Sequence, residues 1–234
     1  MSAKASSDPT ARSDASPVPS PPSRRPDAEN TRANIIEIAT EEFAEKGFNG
    51  ARIDEIAART NTSKRMLYYY FRDKEGLFIA VLEQAYRRLR EIEAELKVDH
   101  LEPEAAMRAL VAVTFDQHAA NEDFVRLVMV ENIHRGEHLA KSRGIQELNV
   151  SIIETTRRIY ERGVEAGVFR PGVDPVDLHM TVSALSFHMV ANRSTFSRIF
   201  KRDMTSKEAL TRRRDIIVDT VLRYIQTAPL DRSS

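Results

Sequence analysis

The sequence predicts an all-α protein, and three observations carry that prediction. Apolar residues recur at three- and four-residue spacing along nearly the whole chain after residue 30, as one face of a helix requires. After that point only four prolines remain, Pro103, Pro171, Pro175 and Pro229, each placed where a helix would begin or stop. The one hairpin-type dipeptide, Asn49-Gly50, is followed by a helical pattern, so it reads as a turn between helices and not between strands.

The elements follow in order. Residues 1–28 form a Pro/Ser-rich tail: the first 30 residues hold six of the ten prolines and seven serines, and Val18 is their one aliphatic side chain larger than alanine besides Met1. Such a segment buries too little to offset its chain entropy and is expected to be disordered. Ile35, Ile36, Ala39, Phe43 and Ala44 make one stripe that ends at Gly47. Ile53, Ile56 and Ala57 belong to a short second helix. Ser63 caps a third, with Leu67 and Phe71 four residues apart on its inner side. Asp73 caps a long fourth helix that runs to about Leu96. Five more are expected near Glu102–Ala120, Glu122–His134, Ile145–Ala166, Pro175–Ser194 and Ser206–Gln226, followed by a short tail over 229–234.

Composition excludes several classes of function. Lys and Arg number 35, as do Asp and Glu, so net charge names no partner. With no cysteine there is no disulfide scaffold, thiol nucleophile or thiolate metal site. The longest apolar runs, six residues at Met66–Phe71 and Leu77–Leu82, are far short of the roughly 20 a membrane helix needs, and the N-terminus lacks the apolar core of a signal peptide. A cytoplasmic protein without a membrane partner is expected. His134 and His138 are four apart, but no completing ligand set accompanies them, so no metal and no cofactor is expected. No enzyme motif is present either: there is no Gly-rich phosphate loop after a strand, no Gly-x-Ser-x-Gly and no His-Glu-x-x-His. The Arg193–Arg202 cluster and the Arg212-Arg213-Arg214 run read as solvated faces near helix ends.

The chemistry concentrates between Ile53 and Lys74. Two short helices meet across Thr60-Asn61-Thr62, Asn61 tolerates the left-handed conformation of a helix end, and Ala57 is small where the helices cross. Lys64 and Arg65 open the third helix, where cations oppose the macrodipole unless a polyanion docks there. Tyr68, Tyr69 and Tyr70 fan over about 200° of that helix, so at least one phenol must face solvent or a bound partner. From Arg59 to Lys74 five basic residues (Arg59, Lys64, Arg65, Arg72 and Lys74) stand against one acidic, Asp73. A helix-turn-helix over about 52–71 that binds DNA accounts for all three.

The stretch GFNGARIDEIAARTNTSKRMLYYYFRDKEGLF resembles the N-terminal domain of the TetR family of bacterial transcriptional regulators: Phe43-x-x-x-Gly47, Ile56-Ala57, Ser63-Lys64, Leu67-Tyr68-x-x-Phe71 and Lys74-Glu75. Arg52 stands where the family usually has a serine or threonine cap, Asn61 replaces the usual glycine and Tyr70 the frequent histidine. The resemblance implies a three-helix DNA-binding head over 29–89 and a larger helical effector-binding and dimerisation domain over 90–228. It implies a homodimer that binds palindromic double-stranded operator DNA, commonly as a repressor, and that a small molecule releases. Carried over by position, Ser63 through Tyr70 would enter the major groove. Lys64 and Arg65 would face base edges, Tyr68, Tyr69 and Tyr70 phosphates or bases, and Lys74 and Arg52 phosphates. In the C-terminal half the likeness is looser and nearest the branch that includes the pyrimidine-utilisation repressor.

Large or polar-tipped residues on the apolar helices of that half, Phe115, His118, Met129, His134, Tyr160, Met180, Phe187 and His188, are the candidate ligand contacts. Val182, Leu185, Met189, Val190, Ile216, Ile217, Val221 and Tyr224 exceed what one inner face needs and are expected to reach a partner subunit. The competing reading is a helical ligand-binding or scaffold protein with a vestigial DNA-binding head.

Overall fold

The computed structural model describes residues 24–227; most of the N-terminal tail and all of the C-terminal one lie outside them. Ten α-helices run in order: α1 Arg24–Gly50, α2 Ile53–Arg59, α3 Lys64–Phe71, α4 Lys74–Ala94, α5 Pro103–Ala120, α6 Glu122–Ile133, α7 Arg143–Glu165, α8 Pro175–Ala191, α9 Arg193–Phe200 and α10 Lys207–Ile225. A 3₁₀ turn, Leu139–Lys141, lies between α6 and α7. Among the described residues the one β-type pairing is an isolated antiparallel bridge between Phe169 and Gln226. The all-α class holds.

Sequence signals set most helix ends. Pro103 and Pro175 occupy first turns, where their missing N–H costs nothing. Ser63, Asp73, Ser142, Asp174 and Ser206 accept hydrogen bonds from the first-turn amides of α3, α4, α7, α8 and α10. The regular part of α1 stops at Gly47, whose φ of 69° and ψ of 173° no helix accommodates.

Three differences stand out. Helix α1 already starts at Arg24, so residues 24–28 are helical and not part of a disordered tail; Pro26 sits in the first turn, where it is tolerated. The helix expected over Pro175–Ser194 ends at Ala191, because the Asn192 side chain turns back to donate to the His188 carbonyl (3.2 Å), and α9 follows as a separate helix. The basic clusters read as solvated faces are partly structural: Arg193 pairs with Glu122 of α6, and Arg214 pairs with Asp116 of α5 at 3.1 Å.

Two cores result. One gathers α1 to α4 around Phe43, Ile56, Leu67, Phe78 and Val81; the other gathers α5, α7, α8 and α10 around Met107, Phe115, Ile159, Leu178 and Val221. Helix α4 supplies Leu77, Phe78, Ala80, Val81 and Leu82 to the first core and packs along α7 and α5 of the second bundle. Of the residues expected to reach a partner subunit, Val182, Met189, Val190, Ile217 and Val221 are buried within the chain's own second core, since α5 packs on α8 and α10 from inside. Leu185 is half-buried against the same core, and Ile216 and Tyr224 stand exposed.

Candidate nucleic-acid interface and ligand cavity

Helices α2 and α3 are held by local bonds. Thr60 Oγ1 donates to the Ile56 carbonyl (2.8 Å), Asn61 takes φ 51°, and the Thr62 N–H donates to the Ala57 carbonyl (3.0 Å). Ile56, Ala57, Leu67 and Phe71 face inward. That leaves Ser63, Lys64, Arg65, Tyr68 and Tyr69 on one open face, Tyr69 with 77% of its surface exposed. Tyr70 is half-buried, its ring 5.4 Å from that of Tyr69. Lys64 is not an uncompensated cation as the sequence implied, because it pairs with Asp54 of α2; Arg59 likewise pairs with Glu41 of α1.

The edges of this face are anchored. Arg52 precedes α2 without capping it through its side chain, but its backbone N–H donates to Glu42 Oε1 (3.1 Å). Burial pushes the Glu42 carboxyl up, and the bonds from Lys46 and the Arg52 N–H, with attraction to Lys46 and Arg59, more than reverse this and hold it below its ordinary value. Lys74 opens α4; its Nζ donates to the Asn49 carbonyl (3.3 Å) and lies 5.2 Å from the centre of the Phe48 ring. Partial burial pushes the Lys74 ammonium down, only partly opposed by Glu42.

The turn from α3 to α4 is tight. Arg72 has φ 69° and ψ −53°, and the Asp73 N–H donates across it to the Phe71 carbonyl (2.9 Å), the geometry of a strained γ-turn. Asp73 Oδ1 then accepts the Gly76 N–H (2.7 Å), which brings Gly76 directly against the Phe71 carbonyl.

Away from this surface, α4, α5, α6, α7 and α8 line a cleft of about 310 Å³ that opens to solvent past Val176 and Met180. Its walls include the rings of Tyr86, His118, Phe124 and Phe187; Tyr86 and Phe124 lie edge to face at 5.3 Å, and His118 stands 5.7 Å from Phe124 and 6.1 Å from Phe187. Arg90 and Glu93, 8% and 6% exposed, line it as a buried ion pair. Burial pushes the Glu93 carboxyl up to about 7 against the pull of Arg90, and pushes the Arg90 guanidinium down. His118 Nδ1 donates to the Thr114 carbonyl (2.7 Å); burial, with the nearby Arg90 charge, pushes the imidazole down against the opposing pull of that bond. Burial, then Arg90 and His118, push His179 down to about 4.

His179 therefore makes stability fall on acidification. Its native value lies below the ordinary 6.5, so its contribution is complete above about pH 6.5 and is lost as pH falls through about 4. Thermal melts of the wild type and His179→Gln across that window should converge or cross, with the wild type losing more. Parallel curves would show that His179 is not held neutral.

Of the eight ligand candidates, His118, Met180 and Phe187 line this cavity. The others do not. Phe115 is packed inside the second core. Tyr160 is structural: its hydroxyl donates to the Arg170 carbonyl (2.7 Å) and accepts the Val173 N–H (3.0 Å). Met129 borders a separate groove between α1, α6 and α8, and His188 packs on Phe196 at the opposite end of α8. His134 sits at the junction of the two cores, 5.5 Å from the Phe48 ring and 5.4 Å from that of His138. Arg90, Glu93 and His179 were missed; the first two sit in Arg-Arg-Leu-Arg-Glu-Ile-Glu, which reads as an ordinary solvated helix face.

Residues 35–81 match the family described as bacterial regulatory proteins, tetR family, and residues 103–221 match the tetracyclin repressor-like C-terminal domain. The HTH-type transcriptional repressor NicS of Pseudomonas putida is 35% identical over 203 residues, covering 87% of this chain and 96% of that protein. The repressor SCO4008 of Streptomyces coelicolor is 34% identical over 139 residues, 59% of this chain and 69% of that one. In structure, a tetR-family regulatory protein from Rhodococcus RHA1 superposes with a TM-score of 0.67 at 23% identity, over 85% of this chain and 98% of that chain. With its helix-turn-helix face and helical second domain, the chain belongs to the tetR family of bacterial regulatory proteins and is a DNA-binding transcriptional regulator, not an enzyme.

Proposed function

We propose that the protein represses transcription in the cytoplasm as a homodimer on a palindromic operator and is released by a small molecule bound in the α4–α8 cavity. Helix α3 enters the major groove, with Arg65 and Lys64 at base edges. Ser63, Tyr68, Tyr69, Tyr70, Arg52 and Lys74 meet phosphates or neighbouring bases. The observation that carries the reading is the span of α4: its first residue is Lys74, beside α3, and its C-terminal half supplies Tyr86, Leu89, Arg90 and Glu93 to the cavity. A ligand that shifts α4 shifts the head with it, and a coupling of about 1–3 kcal/mol releases DNA about 5–150-fold. The partner subunit packs over exposed apolar residues of α9 and α10, Ile199, Phe200, Ile216 and Tyr224 among them, and sets two α3 helices about 34–36 Å apart or somewhat more.

A salt-titrated gel shift on the DNA upstream of its own gene tests the reading. Arg65→Ala should lose about 1–3 kcal/mol on the operator and little on random duplex, as a base-edge contact does. Lys74→Ala should weaken both alike and make the salt slope shallower by roughly one unit. Equal losses for Arg65 would make it a phosphate contact, and an unchanged slope would remove Lys74 from the interface. Sedimentation tests assembly: a monomer of 26.6 kDa that still binds a palindrome tightly would contradict the dimer.

A further inference from the structure

The polar groups left open along the α4–α8 cleft are chiefly hydrogen-bond acceptors. His118, 5% exposed, donates through Nδ1 to the Thr114 carbonyl (2.7 Å), and a carbonyl can only accept, so the ring proton sits on Nδ1. With the imidazole pushed below its ordinary value, Nε2 carries a lone pair and no proton at neutral pH. That Nε2 has no partner among the described residues, yet it is not among the side-chain atoms shut off from solvent; the ring lines the cleft, and the lone pair is accessible there. Asn149 adds a second acceptor, because its Nδ2 donates to the Ile145 carbonyl (2.7 Å) and leaves Oδ1 open. Nearby donors are engaged: the Thr114 hydroxyl donates to the Leu110 carbonyl (2.9 Å), and the Ser183 hydroxyl meets His179 Nε2 (3.3 Å). The Tyr86 hydroxyl can act either way. We infer that this cleft takes a small, uncharged aromatic compound carrying a hydrogen-bond donor, a phenol-type O–H or a ring N–H, which donates to His118 Nε2. The inference rests on the cleft being the effector site proposed above and names the class of effector.

Each part of the description has its own cause. The ligand is aromatic because rings surround the acceptor: Phe124 lies 5.7 Å and Phe187 6.1 Å from the imidazole, and Tyr86 lies 5.3 Å from Phe124, edges and faces that a flat ring can meet. Leu89, Val128 and Met180 complete an apolar lining. It is small because about 310 Å³ is at the low end of small-molecule sites, roughly 300–1,000 Å³. It is uncharged because the two charged side chains that line the cleft, Arg90 and Glu93, pair with each other and leave no counter-charge for a ligand. Even with Arg90 beside it, the Glu93 carboxyl is pushed up to about 7, and a ligand carboxylate without a guanidinium of its own would fare worse. A cation would face Arg90, whose charge already pushes both imidazoles down. A donor is required because a ligand that covers Nε2 without one strips its water and returns no bond.

Four naphthalenes of similar shape test this by fluorescence titration of the full-length protein, which has no tryptophan to interfere: 2-naphthol (donor), 2-methylnaphthalene (no donor), 2-naphthoate (anion) and 2-naphthylmethylammonium (cation). Wild type should bind 2-naphthol, and both charged analogues at least about 5-fold more weakly. In His118→Phe, which keeps a ring and loses Nε2, the affinity ratio of 2-naphthol to 2-methylnaphthalene should fall at least about 5-fold, because only the naphthol loses a bond. The Thr114 carbonyl still accepts the backbone N–H of residue 118, so helix content should hold; His118→Met serves if the phenylalanine variant does not fold. No binding of 2-naphthol, a charged analogue binding as tightly, or an unchanged ratio in a folded variant would each overturn the inference. Gel shifts keep the two proposals apart. Naphthol binding with the expected ratio change but unaltered operator affinity would support the ligand class and count against the effector role. Operator release by 2-naphthoate, with 2-naphthol failing to bind, would keep the effector role and overturn the class.

Discussion

Gly76→Ala should abolish specific operator binding while leaving the C-terminal bundle folded. A Cβ at position 76 would lie 2.1 Å from the Phe71 carbonyl oxygen, a backbone atom that cannot swing aside. That carbonyl is fixed twice over: it ends helix α3, and it accepts the Asp73 N–H across the strained Arg72 turn. Relief has two routes. Either the first turn of α4 opens, giving up the Asp73 cap and about 1 kcal/mol, or α3 is pushed away from α4 and loses packing at Leu67 and Phe71. We expect about 3 kcal/mol of destabilisation in the head, the upper end for overpacking. Operator affinity should fall by about 100-fold or more, because base contacts worth about 1–3 kcal/mol each do not survive an ångström-scale shift. Gly144→Ala is the control: there the added Cβ would meet nothing nearer than 3.8 Å, and alanine suits a helix better than glycine. A Gly76→Ala protein with wild-type operator affinity and head stability would show that the α3–α4 turn has slack.

The head was legible because its determinants are local. Ser63 and Asp73 accept from amides three residues on, Asn61 takes the left-handed turn within its own residue, and Leu67 and Phe71 share a face by spacing alone. The exposed tyrosines follow from the same arithmetic, and Tyr68 and Tyr69 stand outside as it requires. The cavity was not legible, because burial there is decided by helices far apart in the chain. Arg90 and Glu93 have the i,i+3 spacing of a surface ion pair, and only the packing of distant helices, α5 and α7 among them, against α4 turns them into buried groups. Among the residues that size and polarity single out, His118, Met180 and Phe187 line the cleft, whereas the Tyr160 hydroxyl is occupied by Arg170 and Val173. Gly76 escaped notice for a related reason: a glycine three residues after a helix cap looks like a weak helix former until the carbonyl beneath it is seen.

The junction between head and bundle supplies the second large effect. Glu131, 2% exposed near the end of α6, accepts three bonds: Oε1 from the backbone N–H groups of His138 and Leu139 (2.9 Å each), and Oε2 from His138 Nδ1 (2.7 Å). These bonds fold the segment after α6 back onto the head. There the His138 ring packs against Phe48 at 4.7 Å and Phe78 at 4.9 Å, Lys141 pairs with Glu75 in the first turn of α4, and Ser142 Oγ donates to Glu83 (2.6 Å). Glu131→Ala leaves three donors without an acceptor. At roughly 1–3 kcal/mol each, reduced by relaxation, the loss should be about 3–5 kcal/mol, or about 10 °C in Tm for a chain of this size. Glu131→Gln should cost only about 1 kcal/mol, because its amide oxygen still accepts both backbone N–H groups and the His138 ring can exchange tautomers to meet the amide NH₂. Since the same segment braces Glu75, next to Lys74, the alanine variant should also weaken operator binding at temperatures well below its melt, and the glutamine variant should not. Chemical denaturation with gel shifts on both variants decides the matter: equal stability of the two would mean that the segment after α6 stays in place without its buried carboxylate.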